Sequence, residues 1–414
     1  MEERKIRVAI THGDTNGIGY EEILKAFEDP TMLELCTPII YGNPKVAAYH
    51  QQAMELTTQF SVIGQASEAH DGKLNLLATS DEEIKVSLGT PTPESAEAAR
   101  VALQRAKEDL KEGLYDVLVQ APVVPSTKPD LEDRSLLVVF ADDIRIGLVT
   151  SRLPIKQVAE SITMERIVEK TRLFHKCLRR DFRISSPRIA VLALNPQPGT
   201  EEQDIIKPAI EMLAEESIQA FGPYAAEEFF GSDMHYSFDG IMAMYDDQGY
   251  VPFKTLATEY GVKMKTGFPF VITTPDHDPS FEQAGKNTAD PASMRHAIYA
   301  AIDIFRNRID YDEPLANPLP KLYHEKREDG DKARFAVRPK DQFKREDKTG
   351  NANREQNGAR SDSAEVQPAL AEGKGSASRE QNGARSDSAE AQPALAEGNP
   401  QRQEEQTTEP AEKK

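Results

Sequence analysis

Short apolar runs alternate with longer amphipathic stretches along residues 1–335. The runs are rich in Val, Ile and Leu and predict strands at 6–10, 37–41, 117–120, 136–140, 144–150, 188–194 and 240–244. The amphipathic stretches predict helices at 20–28, 93–112, 155–180, 204–219 and 292–308. Because strands and helices that alternate through short loops are typical of α/β proteins, we expect two α/β lobes with a mainly parallel sheet and a ligand-binding cleft between them.

The last part of the chain, residues 336–414, has a different composition. It contains one aromatic residue, Phe343, and after Asn351 its only large aliphatic residues are Val366, Leu370 and Leu395. Such a segment cannot bury enough apolar surface to offset the entropy cost of ordering, and it is predicted to be a disordered tail. Its 13 basic and 15 acidic residues nearly cancel, so most of the net charge of −19 belongs to residues 1–335.

The tail contains a duplicated segment. Residues 354–373 read REQNGARSDSAEVQPALAEG, and residues 379–398 repeat them with Val366 replaced by Ala391. Two copies with so few large aliphatic residues cannot stack into a solenoid. The segment is therefore either a duplicated solvated linker or a short motif that binds a protein partner.

Composition excludes several classes of function. The chain has 414 residues, with 50 Lys+Arg against 69 Asp+Glu, and it lacks the basic stripe expected of a nucleic-acid-binding protein. No apolar stretch approaches the roughly 18–20 residues that a membrane span needs, and no signal-peptide pattern precedes the first strand. Cys36 and Cys177 form neither a disulfide framework nor a C-x-x-C pair. We expect a cytoplasmic protein that binds neither nucleic acid nor membrane.

A glycine-rich loop, THGDTNGIG at 11–19, joins the first strand to the first helix. Its spacing, G-x-x-x-G-x-G, matches neither a Rossmann fingerprint nor a Walker A loop. The free N–H groups of the helix start could bind an anion, or the loop could be an ordinary strand-to-helix turn. Glu21 and Glu22 in the first helical turn oppose a bound phosphate.

Four segments together resemble one known family. They are THGDTNGIGYEEILKAF (11–27), RIAVLALNPQPG (188–199), FDGIMAMYDDQGYVPFK (238–254) and TGFPFVITTPDHDPSFEQAGKNTADPAS (266–293). Their order and spacing are similar to those of the 4-hydroxythreonine-4-phosphate dehydrogenase (PdxA) family of vitamin B6 biosynthesis, over about residues 5–308.

The resemblance implies a two-lobed isopropylmalate-dehydrogenase-like fold and a homodimer whose cleft takes residues from both subunits. Members of the family oxidise 4-phosphooxy-threonine with NAD, assisted by a divalent metal on three histidines, and the β-keto acid product then loses carbon dioxide. In this frame residues 1–335 form the folded unit, and residues 309–335 extend it before the tail.

The residues at the family's three metal-ligand positions differ here. The family segments T-T-H-L-P, L-N-P-H-A-G and M-Y-H-D-Q-G correspond to TSRLP, LNPQPG and MYDDQG, which place Arg152, Gln197 and Asp246 where the histidines would be. A guanidinium cannot be deprotonated and repels a divalent ion, and a single carboxylate seldom holds one. No metal is therefore expected, and Arg152 is expected to pair with Asp246.

The substrate-binding positions of the family are also altered. The segment 126–134 is too short to hold the family's G-H-T-E motif, and Lys263 and Ile272 stand where an asparagine and an arginine are expected. The motif lysine is retained as Lys254, which could contact an anionic substrate or could be an exposed structural lysine.

The nucleotide-binding region is better preserved. The resemblance implies contacts with NAD from Asp276, His277, Gly285, Lys286 and Asp290. Asp278 and Pro279 replace the Gly-Thr that follows the histidine in the family, so His277 could touch NAD or could cap a local turn. His12 replaces the proline of the first motif, and the sequence names no partner for it.

Three functions remain open. The first is a catalytically degenerate family member kept as a binding or structural protein, whose tail could tether a protein partner. The second uses the same cleft for a different phosphorylated or carboxylate ligand, a small anion that Arg152, Lys254 and Lys263 could anchor. The third is the original dehydrogenase. Function has to be decided from the site, because a fold shared by ancestry does not specify chemistry.

Overall fold

Twelve strands form one continuous sheet in the computed structural model, which describes residues 4–80, 82–124, 135–257 and 260–318. The strands are β1 (Arg7–Thr11), β2 (Thr37–Gly42), β3 (Phe60–Ile63), β4 (Leu74–Ala78), β5 (Val117–Gln120), β6 (Leu136–Ala141), β7 (Ile144–Leu148), β8 (Arg188–Leu192), β9 (Gln219–Tyr224), β10 (Gly240–Ala243), β11 (Val262–Thr266) and β12 (Val271–Pro275). Their spatial order is β3-β4-β2-β1-β5-β12-β11-β6-β7-β10-β8-β9.

The sheet consists of two parallel halves joined by antiparallel pairing. All neighbours from β3 to β12 pair in parallel, as do β7, β10, β8 and β9. At the junction, β11 is antiparallel to both β12 and β6, and β6 is antiparallel to β7. The two halves therefore run in opposite directions. The fold is α/β with a mainly parallel sheet, as the alternation of strands and helices predicts.

Ten α-helices pack on this sheet within the described residues. They are α1 (Gly19–Ala26), α2 (Thr31–Leu35), α3 (Pro44–Ala53), α4 (Pro93–Lys111), α5 (Ile155–Ser161), α6 (Met164–Arg180), α7 (Lys207–Glu215), α8 (Ala226–Gly231), α9 (Asp246–Leu256) and α10 (Ala292–Ala316). None of these helices is long and apolar enough to cross a bilayer.

Local sequence explains where several helices begin. At α4 the hydroxyl of Thr92 accepts a hydrogen bond from Ser95 N at 3.1 Å, and the Ser95 hydroxyl accepts one from Thr92 N. These two bonds satisfy N–H groups that a helix start leaves unpaired. Thr163 caps α6 in the same way, and this explains why the single helix predicted over 155–180 is two helices.

The sequence pattern missed β3, β4, β9, β11 and β12. The central strands β1 and β2 were predicted because buried parallel strands are continuously apolar. The sequence of β11, VKMKT, alternates instead and places two lysines in the sheet. The helix predicted over 204–219 ends at Glu215, and Gln219 begins β9. The α2, α3, α8 and α9 helices are further elements that the pattern missed.

Several predictions fall outside the described residues. They are the short segment 126–134, the tail 336–414 with its repeats at 354–373 and 379–398, and the boundary at residue 335. They stay predictions. The helix predicted to end at residue 308 continues to Ala316, so the first part of the 309–335 extension is helical.

A buried ion pair fixes α10 to the end of α6. Arg308 on α10 donates from Nε to Oδ1 of Asp181 at 2.7 Å and from Nη2 to Oδ2 at 3.0 Å. Both side chains are buried, and Asn307 also donates to the backbone oxygen of Asp181 at 2.8 Å. A second pair between the same regions, Arg183 with Asp310 at 2.6 Å, is exposed to solvent.

We predict that the two pairs differ strongly in their contribution to stability. Asp181→Asn leaves the Arg308 guanidinium buried without an anion, which should lower the free energy of unfolding by about 3 kcal/mol. Asp310→Asn, a matched substitution in the exposed pair, should lower it by less than about 1 kcal/mol. Urea unfolding followed by circular dichroism measures both. Equal shifts of the two midpoints would contradict the prediction.

Candidate functional site

The residues at the three metal-ligand positions follow the carboxyl ends of adjacent strands. Arg152 follows β7, Asp246 follows β10, and Gln197 follows β8, and these strands pair in parallel in that order. Gln248 links two of the ends, because its Oε1 accepts from Met244 N at 2.7 Å while its Nε2 donates to Ala193 O at 2.6 Å. The fold therefore keeps this arrangement of loops at one sheet edge.

The carboxylate of Asp246 is occupied by groups of the chain itself. Ser151 donates from its hydroxyl to Oδ1 at 3.1 Å, and the backbone N–H of Arg152 donates to Oδ2. The structure thus brings Arg152 and Asp246 together, but through the backbone N–H and not through the expected guanidinium ion pair. Arg152 has a positive φ of 58°, which directs its N–H toward the carboxylate and leaves its side chain exposed.

Gln197 lies at the exposed tip of a loop that a buried glutamate closes. Glu202 accepts from Asn195 N at 2.8 Å and from Gly199 N at 2.6 Å. Burial opposes ionisation of Glu202, but these hydrogen bonds outweigh it and lower its pKa. The loop is therefore held rigidly at its base, while the Gln197 amide remains exposed to solvent.

This donor set does not fit a divalent metal. It offers one carboxylate whose two oxygens already accept hydrogen bonds, one neutral amide, and one guanidinium, which is a cation without lone pairs. Across the described residues no group of three His, Cys, Asp or Glu side chains is placed to hold a metal ion.

A second cluster surrounds Asp276 at the carboxyl end of β12. The Asp276 carboxylate is buried and pairs with Lys254 Nζ at 2.6 Å and with Lys263 Nζ at 2.9 Å. Lys254 also donates to the backbone oxygen of Asp276. Lys254 and Asp246 are eight residues apart on α9, about 12 Å along the axis, so the structure separates them into different clusters. The side chain of the retained lysine is about half exposed, and its ammonium pairs with a buried carboxylate of the protein itself.

Tyr250 lies between the two clusters, and the sequence analysis missed it. Burial raises the pKa of its hydroxyl, and the charges of Asp276 and Asp246 raise it further, while Arg152 opposes them. The ammonium of Lys263 lies 5.5 Å from the centre of the Tyr250 ring. No local sequence pattern marks this residue, because the charged groups that surround it come from separate parts of the chain.

His277 contacts a glutamate of α1. Its Nε2 lies 3.0 Å from Oε1 of Glu22, and its Nδ1 lies 2.8 Å from the backbone oxygen of Asp278. Burial by itself lowers the pKa of His277, but the hydrogen bond and charge of Glu22 outweigh it and raise the pKa above its usual value. His277 thus takes part in the local turn and also ties the turn to α1.

The three remaining NAD-contact candidates lie on the segment that follows. Gly285 has φ +77°, and a Cβ there would lie 2.7 Å from Leu88 Cδ1, so the chain needs glycine at this point. Lys286 is exposed. Asp290, also exposed, accepts a hydrogen bond from Ala292 N at 2.9 Å at the start of α10. The side chains of Lys286 and Asp290 are therefore accessible to a ligand. Their contact with NAD stays a prediction.

The glycine-rich loop forms a buried strand-to-helix turn. The N–H of Ile18 donates to Pro279 O at 3.1 Å, and the N–H of Asn16 donates to the Asp14 carboxylate at 2.9 Å. A Cβ on Gly17 would lie 2.7 Å from Pro279 O, so glycine lets the two segments approach each other. The protein itself uses the N–H groups of Asn16 and Ile18, which lie before the first helical residue.

His12 packs in a stack of three rings. Its ring centre lies 4.8 Å from that of Tyr20, which lies 5.1 Å from that of His50 on the other side. His50 Nε2 lies 2.8 Å from Thr15 O. Burial lowers the pKa of both histidines to about 4, so both rings are neutral near pH 7. The missing partner of His12 is therefore an aromatic ring.

A cavity of about 580 Å³ lies apart from these clusters, near the start of β7. Its lining includes Arg145, Phe182, Tyr260, His296 and Tyr299. None of the candidate site residues lines it, so cavity size does not locate the site that the sequence motifs indicate.

Comparison with known proteins decides the family. The model of the family described as pyridoxal phosphate biosynthetic protein PdxA matches residues 34–132 and 126–301. The chain belongs to the PdxA family. A 4-hydroxythreonine-4-phosphate dehydrogenase of Bacteroides thetaiotaomicron is 48% identical to it over 81% of this chain and 98% of the relative. The enzyme of that name from a Sulfurihydrogenibium species is 32% identical over 73% and 99%.

A solved structure agrees with this membership. The crystal structure of a 4-hydroxythreonine-4-phosphate dehydrogenase from Burkholderia phymatum covers 73% of this chain and 99% of its own, at 25% identity and a TM-score of 0.60. The PdxA fold is therefore present, and the substitutions at Arg152, Gln197 and Asp246 lie within it.

The neutral histidines of the ring stack predict a loss of stability in acid. As pH falls from 6.5 to about 4, the unfolded chain binds protons on His12 and His50 that the folded chain does not, which costs up to about 3 kcal/mol for each residue. Urea midpoints measured across this range should fall, and His50→Gln should reduce the fall. The control is His70→Gln, at an exposed histidine. Equal acid sensitivity of both variants would contradict the prediction.

Proposed function

We propose that this PdxA-family protein does not catalyse the metal-dependent oxidation of 4-phosphooxy-threonine and is kept as a binding or structural protein. The observation that carries the proposal is the chemistry at Asp246, whose carboxylate oxygens accept hydrogen bonds from Ser151 and Arg152. A cationic side chain and an exposed amide, Gln197, occupy the other two ligand positions.

The physical reason is the size of the effect that a metal ion supplies. A metal on the reacting oxygen contributes several kcal/mol of charge stabilisation, and each 1.4 kcal/mol or so changes the rate tenfold. Loss of that group alone would lower turnover by orders of magnitude. The PdxA fold does not need the metal, because the strands and α9 are held by apolar packing and by Gln248.

A second candidate function is binding of a different phosphorylated or carboxylate ligand in the same cleft. The exposed side chain of Arg152 favours it, because Lys254 and Lys263 share the carboxylate of Asp276, whereas Arg152 has no ion-pair partner among the described residues. A guanidinium is suited to bidentate contact with such anions. NAD binding at the segment containing Lys286 and Asp290 is compatible with either function. We also propose that the chain forms a homodimer, as the family resemblance implies, and that the tail could bind a protein partner.

The proposal predicts that the full-length protein forms no NADH from 4-phosphooxy-threonine and NAD, with or without zinc or magnesium. The Bacteroides relative serves as the positive control. A triple variant, Arg152→His, Gln197→His and Asp246→His, should gain zinc binding by calorimetry, because it places three imidazoles on adjacent strand ends.

The outcomes separate the candidates. NADH formation by the unmodified chain at a rate comparable with the relative's would overturn the proposal. Absence of turnover with tight binding of NAD or of a phosphorylated compound would favour the second function. If Arg152→Met then abolished that binding, the anion would be assigned to this guanidinium.

A further inference from the structure

Two adjacent buried glutamates of α1 hold the segment 276–290. Glu21 pairs with Lys25 at 2.7 Å and accepts a hydrogen bond from Ala289 N at 2.8 Å, while Lys25 donates to Ala289 O at 3.0 Å. Glu22 contacts His277 at 3.0 Å, near the other end of the segment. One glutamate therefore fastens each end of the segment to the same helix.

The two attachments differ in chemistry. Glu21 is satisfied by a lysine and a peptide N–H, neither of which changes charge near neutral pH. Glu22 depends on an imidazole, and its second oxygen is buried without a hydrogen-bond partner among the described residues. When His277 is neutral, the Glu22 carboxylate is a buried anion with no cation in contact, which is costly.

The surrounding charges determine the sign of the effect. They are Glu21 and Lys25 on α1, Lys263 on β11, and Asp276, Asp278 and Asp290 on the segment. Burial raises the pKa of Glu22, as do Glu21 and Asp290, while His277 opposes them. Burial lowers the pKa of His277, but Glu22 outweighs it and raises that pKa overall.

Both groups therefore bind protons more tightly in the closed, folded segment than in the open one. Their stabilising contribution is complete below the pKa values of the open state. It is lost as pH rises through the raised pKa of His277. Acid should keep the segment closed and alkali should loosen it, which is opposite to the effect of the His12 and His50 stack.

We propose that Glu22 and His277 form a proton-controlled latch that holds residues 277–288 on α1 and loosens them as pH rises. The pairs of Asp276 with Lys254 and Lys263 and the Glu21–Lys25 contact at Ala289 are the permanent attachments on either side of these residues. The latch is independent of whether the protein binds NAD or turns over a substrate. It makes the mobility of the part that contains Gly285 and Lys286 depend on pH in the range where histidines titrate.

The test is hydrogen exchange of peptides from 276–290 in the full-length protein, at about pH 6 and about pH 8.5, corrected for the intrinsic exchange rate. We expect corrected exchange in the unmodified chain to rise several-fold with pH. Glu22→Gln removes the titrating contact and should abolish the rise. Glu21→Gln, the matched control next to it, should increase exchange near Ala289 at both pH values and keep the rise.

Each result bears on the latch. Flat exchange in the unmodified chain, or an unchanged rise in Glu22→Gln, would overturn it, and so would equal flattening by both glutamate variants. If Glu22→Gln does not fold, His277→Gln replaces it, because that side chain is partly exposed and tolerates substitution more easily. A rise that persists in His277→Gln would also refute the proposal.

Discussion

A buried carboxylate needs a cation or hydrogen-bond donors in contact, and at Asp276 this requirement organises the middle of the molecule. Asp276 ends β12, the last strand of the first parallel half of the sheet. Its partners are Lys263 on the antiparallel strand β11 and Lys254 on α9, which packs on the second half. One side chain thus joins both halves of the sheet at the point where strand direction reverses.

This arrangement constrains what the site can bind. Lys254 and Lys263 are cations that an anionic ligand could use, but both pair with Asp276, whose single carboxylate offsets one of their two charges. The carboxylate of Asp246 is engaged in a similar way, because it accepts hydrogen bonds from Ser151 and from the backbone N–H of Arg152. The carboxylates of Asp276 and Asp246 are therefore both engaged by groups of the chain itself.

Sequence reasoning succeeded where structure depends on neighbours along the chain. The apolar runs of β1 and β5 and the amphipathic pattern of α4 are local signals, and their alternation predicted the α/β class. It failed for β11, because Lys263, one of the two lysines that disguise this strand, is explained by its pair with Asp276, which follows another strand. The contact of His277 with Glu22 was invisible for the same reason, since the two residues meet only after the whole sheet has formed.

The same distinction explains why family membership does not by itself specify the activity of this chain. Membership reflects hundreds of packing contacts, which tolerate exchange of surface and loop residues. Activity depends on a few side chains at strand ends, where Arg152, Gln197 and Asp246 change the charge without disturbing β7, β8 or β10. A relative named 4-hydroxythreonine-4-phosphate dehydrogenase is 48% identical over 81% of this chain, while the described residues place no three His, Cys, Asp or Glu side chains where they could hold a metal ion. The activity therefore has to be argued from the site and not from the overall likeness.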